Sequence, residues 1–485
     1  MSDIIKSYLY LIQIGVITLL TFITLPIIAN FLTPSEFGVI ALAQVYSVIL
    51  MGMLNLGLVT GYERNYFQYE KNLKKTGELL NSVFLLVAFL AVVTSVIIFI
   101  FRDYIAELIL NNKEHGNLLM LIFGGEVFFS LSQYFLQYLK LKGLAIDYIK
   151  ITILRSVTYT ILILLFLIYY KFGAISIGYA ILLSSLLMFL TVIIQQIIRF
   201  PLVFNTSITI EALRLSLPLV PRTFFGFLNT QFDKIMLGAL STMSGVGVYS
   251  IGQKVSSVAF SFMTALDHVF IPSVYQSLFS DDKEIARSNI ADYLLPFFYV
   301  SIFITLLIVL FIEEFFLLMM PDSYYDAINI VQILCIYYAS MFFGKITGTL
   351  LIFSKKTFII SLLTLSSIVI NVVLNLPMIY AWGAVGAAWA TTFAGIINVL
   401  ISFKISKKYC SIGWRWDAII PITSIFFVAV FWSLISRSIL VDMYEFRLIG
   451  KLVLVTCFIA IGVYFDLITK NNINKLLLPF RKSNY

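Results

Sequence analysis

VGVYSIGQKVS, residues 246–256, repeats FGVIALAQVYS, residues 37–47, at an offset of 209. Gly247 answers Gly38, Val248 answers Val39, Gln253 answers Gln44 and Ser256 answers Ser47. The same offset pairs Thr230 with Thr21, Tyr275 with Tyr66 and Lys283 with Lys74. Each stretch opens a long apolar run just after a short connection. Matches at equivalent places in two such runs indicate that the chain was built by duplication. Internal repeats of this kind mark secondary transporters, whose substrate site lies between the halves.

The runs around the repeat show which solvent the chain occupies. Of 485 residues, 60% are hydrophobic and 12% charged, with a mean hydropathy of +0.98. A water-soluble domain carries about a quarter of its residues as charges. The apolar runs recur along the whole length, so the solvent is lipid and not one anchor. Crossing a hydrocarbon core takes about 20 helical residues. Long continuous runs favour helices over the short alternating strands of a barrel. The runs lie at 8–31, 37–60, 79–101, 117–139, 149–170, 173–198, 213–240, 246–272, 291–319, 326–353, 357–380, 382–403, 418–437 and 446–468. The expected fold is an all-α polytopic membrane protein with fourteen spans, two parallel six-helix bundles plus two added helices. The bundles are assigned to 1–200 and 201–410, and the added helices with a tail to 411–485. The first run is too long for a signal peptide and lacks a small-residue cleavage site.

Lys and Arg are retained on the cytoplasmic side. With the N-terminus inside, twenty-two of those flanking the spans fall on one side, including Arg64, Arg214, Lys404, Lys407 and Arg415. Five fall on the other: Arg102, Lys113, Lys171, Arg437 and Arg447. Both termini are therefore expected in the cytoplasm. The net charge of +8 is mostly this bias and does not indicate nucleic-acid binding. Cys335, Cys410 and Cys457 are scattered, with no metal spacing or disulfide framework, and no cofactor is implied.

Intramembrane ionisable groups are costly and face a bundle interior or a wet cavity. Arg222, Gly226, Asn229 and Asp233 fall at i, i+4, i+7 and i+11, one face of a helix. Ser250, Lys254, Ser257, Ser261 and His268 form a second stripe; Glu126, Ser130, Gln133 and Gln137 form a third. Arg155 and Lys345 stand more alone. Lys234 points about a third of a turn from Asp233, so each can face a different neighbour. Arg222, Lys254, Lys345 and Arg155 are candidate ligands of an anion. Asp233 is a candidate counter-ion, and Glu126, Asp267 and His268 are candidates for a coupling proton. Hydrogen-bonded packing is the ordinary role of a lone intramembrane histidine. Pro218, Pro221 and Gly226 predict a bend in the span 213–240, a candidate hinge.

Three stretches together resemble bacterial polysaccharide-export flippases: FLTPSEFGVIALAQ at 31–44, SLPLVPRTFFGFLNTQFDKIMLGALSTMSGVGVYSIGQKVSS at 216–257, and NVVLNLPMIYAWGAVGAAWAT at 371–391. The second holds the Asp233–Lys234 pair, then Val246, Gly247, Tyr249 and Ser250, ending near Lys254. Arg64 also fits the pattern. The resemblance covers essentially the whole chain. It implies the fold of the multidrug/oligosaccharidyl-lipid/polysaccharide exporters, two six-helix bundles in a V. It also implies a flippase for undecaprenyl-pyrophosphate-linked oligosaccharide in the bacterial cytoplasmic membrane. Membrane lipid and other polysaccharide-assembly proteins, a polymerase among them, are the implied partners.

Such a substrate joins an anionic pyrophosphate and a polar glycan to a long tail. Arg222, Lys254, Lys345, Arg155 and Arg64 would supply the cationic path, Arg being suited to bidentate phosphate contacts. A lipid II-type flippase and a drug or cation antiporter share the fold and remain as alternatives. The antiporter would want an anionic cavity, and the first span holds no acid. A membrane enzyme would need a large catalytic loop or an Asp-x-Asp site, and neither is present. No P-loop is found, so the expected role is transport without ATP hydrolysis.

Overall fold

The computed structural model describes residues 3–279, 283–440 and 443–469. Side chains are described from residue 12 onward, except at 219, 222, 223 and 283–289. Both chain termini, and the side chains of Lys6, Arg222, Lys283 and Arg287, therefore lie outside what is described. Among those described there are fifteen α-helices and no strand. The chain separates into two compact units, Met1–Gly247 and Val248–Tyr485.

The first unit contains α1 (Asp3–Phe31), α2 (Pro34–Leu54), α3 (Leu58–Tyr69), α4 (Leu73–Leu110), α5 (Gly116–Leu141), α6 (Ala145–Leu164), α7 (Ile175–Arg199), α8 (Thr206–Ser216) and α9 (Val220–Leu240). It also holds the first turn of α10 (Met243–Leu278). Three residues explain the sharp start of α2. Thr33 accepts from the Glu36 amide, Glu36 accepts from the Thr33 amide at 2.8 Å, and Pro34 sits where no amide is needed. Gly38 then allows a close crossing. A Cβ there would lie 1.9 Å from the Met243 carbonyl oxygen, and one on Gly247 would lie 1.8 Å from that of Pro34. The matched glycines of the repeat thus face one another, each against the carbonyl four residues before its partner.

α5 is the central helix of this unit, packed against α2, α4 and α7. α1 lies on α6, and α9 on α2. Buried polar groups tie the helices together. Tyr134 donates to Asn55 at 2.8 Å, and Asn55 donates to Ser130 at 2.7 Å. Gln196 donates to Asn81 at 2.6 Å, and Asn81 donates to the Pro201 carbonyl at 2.7 Å. The short helices α3 and α8 pack together, joined by Tyr69 donating to Glu211 at 2.8 Å.

The expected single span at 213–240 is two helices. A 3₁₀ turn at Leu217–Leu219, carrying Pro218, separates α8 from α9. Pro221 is the second residue of α9, where its missing amide leaves no bond unmade.

The second unit continues α10 and adds α11 (Lys283–Met319), α12 (Ala327–Phe353), α13 (Thr357–Tyr409), α14 (Trp416–Ile439) and α15 (Tyr444–Tyr464). α12 packs on α13, and α11 packs on α12, α14 and α15. α13 has 53 residues, but Gly383 breaks it with φ 55° and ψ −129°, a backbone position essentially reserved for glycine. Gly386 then lets the Met378 carbonyl approach; a Cβ would sit 1.8 Å from it. The GAVGAA stretch is therefore a tight return between two membrane-length halves.

Among the described residues, twelve helices are long and apolar enough to span a membrane. The break at Gly383 divides one of them into two membrane-length halves, and α9 would make a fourteenth. α9 is of spanning length but carries too many polar groups to count by hydropathy. Large apolar side chains such as Phe99, Ile100, Phe101 and Leu108 are exposed on the helix surfaces, as a lipid solvent requires.

Arg447, expected at the outer flank of the last span, lies instead within α15 and is buried. It donates to Glu313 at 2.6 Å. Lys451, wholly buried one turn on, reaches Glu313 at 2.8 Å and Glu314 at 2.7 Å. Two acids of α11 thus neutralise two bases of α15, and burial becomes affordable because every charge has a partner.

Candidate functional site

Six helices of the first unit converge on a polar pocket of about 350 Å³. Helix periodicity explains the contributions. Thr21 and Thr24 come from one face of α1, and Gln44 comes from α2. Glu126 comes from α5, and Arg155 and Tyr159 sit one turn apart on α6. Ile181 of α7 closes one wall, and Gln231 and Lys234 come from α9. Thr21 and Gln44 are both residues of the internal repeat.

Two bases and one acid share the pocket. The Arg155 guanidinium lies 4.2 Å from the centroid of Phe129, and its Nε donates to Ser185 at 3.3 Å. Both contacts fix its orientation without using the terminal nitrogens. Glu126 lies within electrostatic reach of Arg155. Lys234 donates to Gln231 at 3.1 Å. The net charge of these three groups is +1. The surroundings offer amides, hydroxyls and a phenol, which bind polar ligands of either sign; the charge imbalance favours an anion.

Asp233 is 5% exposed and is not part of the pocket wall, whereas Lys234 is.

The remaining candidates are dispersed. The α5 stripe divides among three environments. Glu126 lines the pocket, Ser130 accepts from Asn55 in the core, and Gln137 donates to Glu63 of α3. Gln133, two turns from Glu126, is half-buried outside the pocket. Arg64 is exposed on α3 and donates to Asn65 at 3.1 Å. Asn229 and Gly226 are exposed on α9.

In the second unit, Lys345 of α12 pairs with Asp267 of α10 at 3.3 Å. Asp267 is 4% exposed, and the Lys345 ammonium lies 5.6 Å from the Phe260 ring. Lys254 and His268 are exposed on α10. Ser257 donates to the Lys254 carbonyl at 2.7 Å and Ser261 to the Ser257 carbonyl at 3.1 Å. These hydroxyls are committed to their own helix. Ser250 is buried, and its hydroxyl has no hydrogen-bond partner among the described residues. No group of His, Cys, Asp and Glu suited to a metal ion occurs among the described residues.

Sequence reasoning did not single out Tyr159, Gln231 or Thr24, which look like ordinary polar residues of apolar helices. It also did not single out Glu313, Glu314 and Lys451. Their signal was present: adjacent acids in one span, and Arg447 and Lys451 spaced i, i+4 in another.

The profile of a family described as polysaccharide biosynthesis protein matches residues 27–329. A curated relative, the probable low-salt glycan biosynthesis flippase Agl15 of Haloferax volcanii, is 23% identical over 262 residues. That match covers 54% of this chain and spans about half the relative's length, 53%. Among solved structures, the lipid II flippase MurJ in an inward closed conformation aligns with a TM-score of 0.68 at 18% identity. The alignment covers 96% of this chain and all of that one. An inward-facing multidrug resistance MATE family transporter of the MOP superfamily aligns at 0.64 and 16% identity, over 82% of this chain and 97% of that one. Over a fold shared with the MOP transporters, the profile match extends across more than half of the residues, and the chain belongs to the polysaccharide biosynthesis protein family.

Proposed function

We propose that the protein is a flippase that moves undecaprenyl-pyrophosphate-linked oligosaccharide repeat units across a bacterial cytoplasmic membrane by alternating access. The observation that carries this reading is the pocket holding Arg155, Lys234 and Glu126 among helices most of which are long and apolar enough to span a membrane. Arg155 and Lys234 line that pocket together with a single carboxylate, and a cation-rich cavity inside a helical bundle suits an anionic ligand such as a pyrophosphate. Arg155, held by Phe129 and Ser185, presents its terminal nitrogens to a phosphate oxygen pair, and Lys234 acts as a point charge. At about 350 Å³ the pocket is at the small end of ligand sites. It seats the anionic head, while the tail remains in lipid.

Glu126 is the proposed coupling group. Protonation removes its competition for Arg155, so proton binding and substrate binding are linked through one cation. Asp233 is proposed as a second, switching counter-ion on α9. Arg64 and Arg222 of the first unit, and Lys254 and Lys345 of the second, are proposed as further cationic contacts of the substrate, and the α8–α9 turn with Pro218, Pro221 and Gly226 as a hinge.

The test is reconstitution of the full chain in vesicles carrying a fluorescent undecaprenyl-pyrophosphate oligosaccharide on one leaflet. A glycosidase added outside reads its appearance on the other. The wild type should expose the glycan, and the Arg155→Ala/Lys234→Ala protein should not. Equal exposure by both would remove the pocket from the mechanism. Transport of lipid II in place of the repeat unit would assign the protein to that related activity. Uptake of a cationic dye without glycan transport would assign it to the antiporters.

A further inference from the structure

A second cavity, of about 290 Å³, lies in the other unit, where α13 ends and α14 begins. Its walls are Phe403, Trp414 and Trp416, with Lys407 and Ser406 on the last turns of α13. The aromatic walls form a continuous surface. Trp414 lies 5.8 Å from Phe403 and 6.4 Å from Trp416, centroid to centroid, and Phe343 backs Trp414 at 5.3 Å. The connecting residues 410–415 are not helical. Gly413 leaves its side open, with nothing within 4 Å of the place a Cβ would take.

The charges around this cavity are unevenly matched. Arg415 is neutralised by Asp417 at 2.8 Å and Asp292 at 3.3 Å. Lys404, Lys407 and Lys408 make no ion pair among the described residues, and Lys407 lines the cavity. The end of α13 and the start of α14 present helix termini of opposite sign, so their dipoles largely offset and the lysine sets the potential. The connection joins two membrane spans, so it lies at a lipid–water boundary. Tryptophan is the side chain enriched at that depth, and juxtamembrane lysines attract anionic headgroups.

We propose that this cavity binds the phosphate headgroup of an acidic membrane phospholipid. Lys407 takes the phosphate, the Ser406–Ser411 edge faces the polar part, and Phe403, Trp414 and Trp416 cover the glycerol and first methylenes. The cavity is too small for an oligosaccharide. It shares no residue with the pocket of the first unit, so it does not depend on the transport reading.

Native mass spectrometry of the detergent-purified full chain, titrated with phosphatidylglycerol or phosphatidylcholine, tests this. The wild type should retain phosphatidylglycerol in preference to phosphatidylcholine. Lys407→Gln should weaken phosphatidylglycerol retention about fivefold and leave phosphatidylcholine unchanged. Lys404→Gln removes the same charge from the same turn-rich surface but not from the cavity, and should retain the lipid as the wild type does. Equal loss in both variants would show diffuse surface attraction and overturn the site. Equal binding of both lipids would make it an apolar seat only. Displacement of phosphatidylglycerol by millimolar inorganic phosphate or glycerol phosphate would assign the cavity to a free phosphate and overturn the lipid assignment.

Discussion

Arg155 and Lys234 are separated by 79 positions in the chain, yet they line one pocket. Glu126 lines the same pocket. Removing Arg155 deletes charge-assisted hydrogen bonds of about 1.5–3 kcal/mol, roughly ten- to a hundred-fold in apparent affinity for an anionic ligand. We expect Arg155→Ala to accumulate in the membrane at normal levels and to lower surface polysaccharide by at least tenfold, with Lys234→Gln a milder version. Normal export at native expression would show that neither cation touches substrate. Asp233 makes a different prediction. Asp233→Asn keeps the shape and removes the charge, so protein levels should stay near normal while export falls. Neutralising its partner cation as well should restore part of the loss. Degradation of the single variant would mean that the acid is structural.

Helices impose their own constraints. Gly38 and Gly247 leave no space for a side chain, since a Cβ would meet backbone oxygen at 1.9 and 1.8 Å. Backbone cannot step aside as a flexible side chain can. Gly38→Val or Gly247→Val should therefore separate the starts of α2 and α10 and cost about 1–3 kcal/mol or more. The change would be read as a lowered midpoint in thermal unfolding of the purified protein, and an unchanged midpoint would contradict the crossing. The α11–α15 charges support a second experiment. Lys451→Met leaves the half-buried Glu314 without its cation, at a cost of up to about 3 kcal/mol. Adding Glu314→Gln should recover part of that stability, because Glu313 keeps Arg447. If the double variant is no more stable than the single, the loss comes from packing and not from charge.

Across the whole molecule, fourteen spans and a consistent basic bias predict that Ser241–Ser244 face the outside. A cysteine at Ser241 should react with an impermeant maleimide added to intact cells, and one at Lys404 only after permeabilisation. Cys457 is exposed and should be replaced first, whereas Cys335 and Cys410 are buried. Labelling in the reverse pattern would invert the topology and with it the direction of transport. Gly226 offers a companion measurement. A Cβ there meets nothing within 4 Å, so Gly226→Ala is sterically neutral in this conformation. A slowed transport rate with unchanged stability would identify α9 as a moving element.

Much of this was readable along the chain, because lipid is a simple solvent. An apolar run of helix length has one favourable disposition in it. The sequence alone therefore placed most of the spans and the repeat. The tertiary structure alone decided which polar groups meet. Periodicity set Glu126, Ser130 and Gln137 on one stripe, but their neighbours divide them among the pocket, the core and α3. It left Lys345 isolated, and Asp267 of another helix pairs with it. It assigned Arg447 to a loop edge, and Glu313, 134 residues away, draws it into the core. A helix's own period fixes which of its residues share a face. What that face meets depends on how each helix is rotated and stacked, and that is settled only when all the buried charges and close-packed backbones are satisfied together.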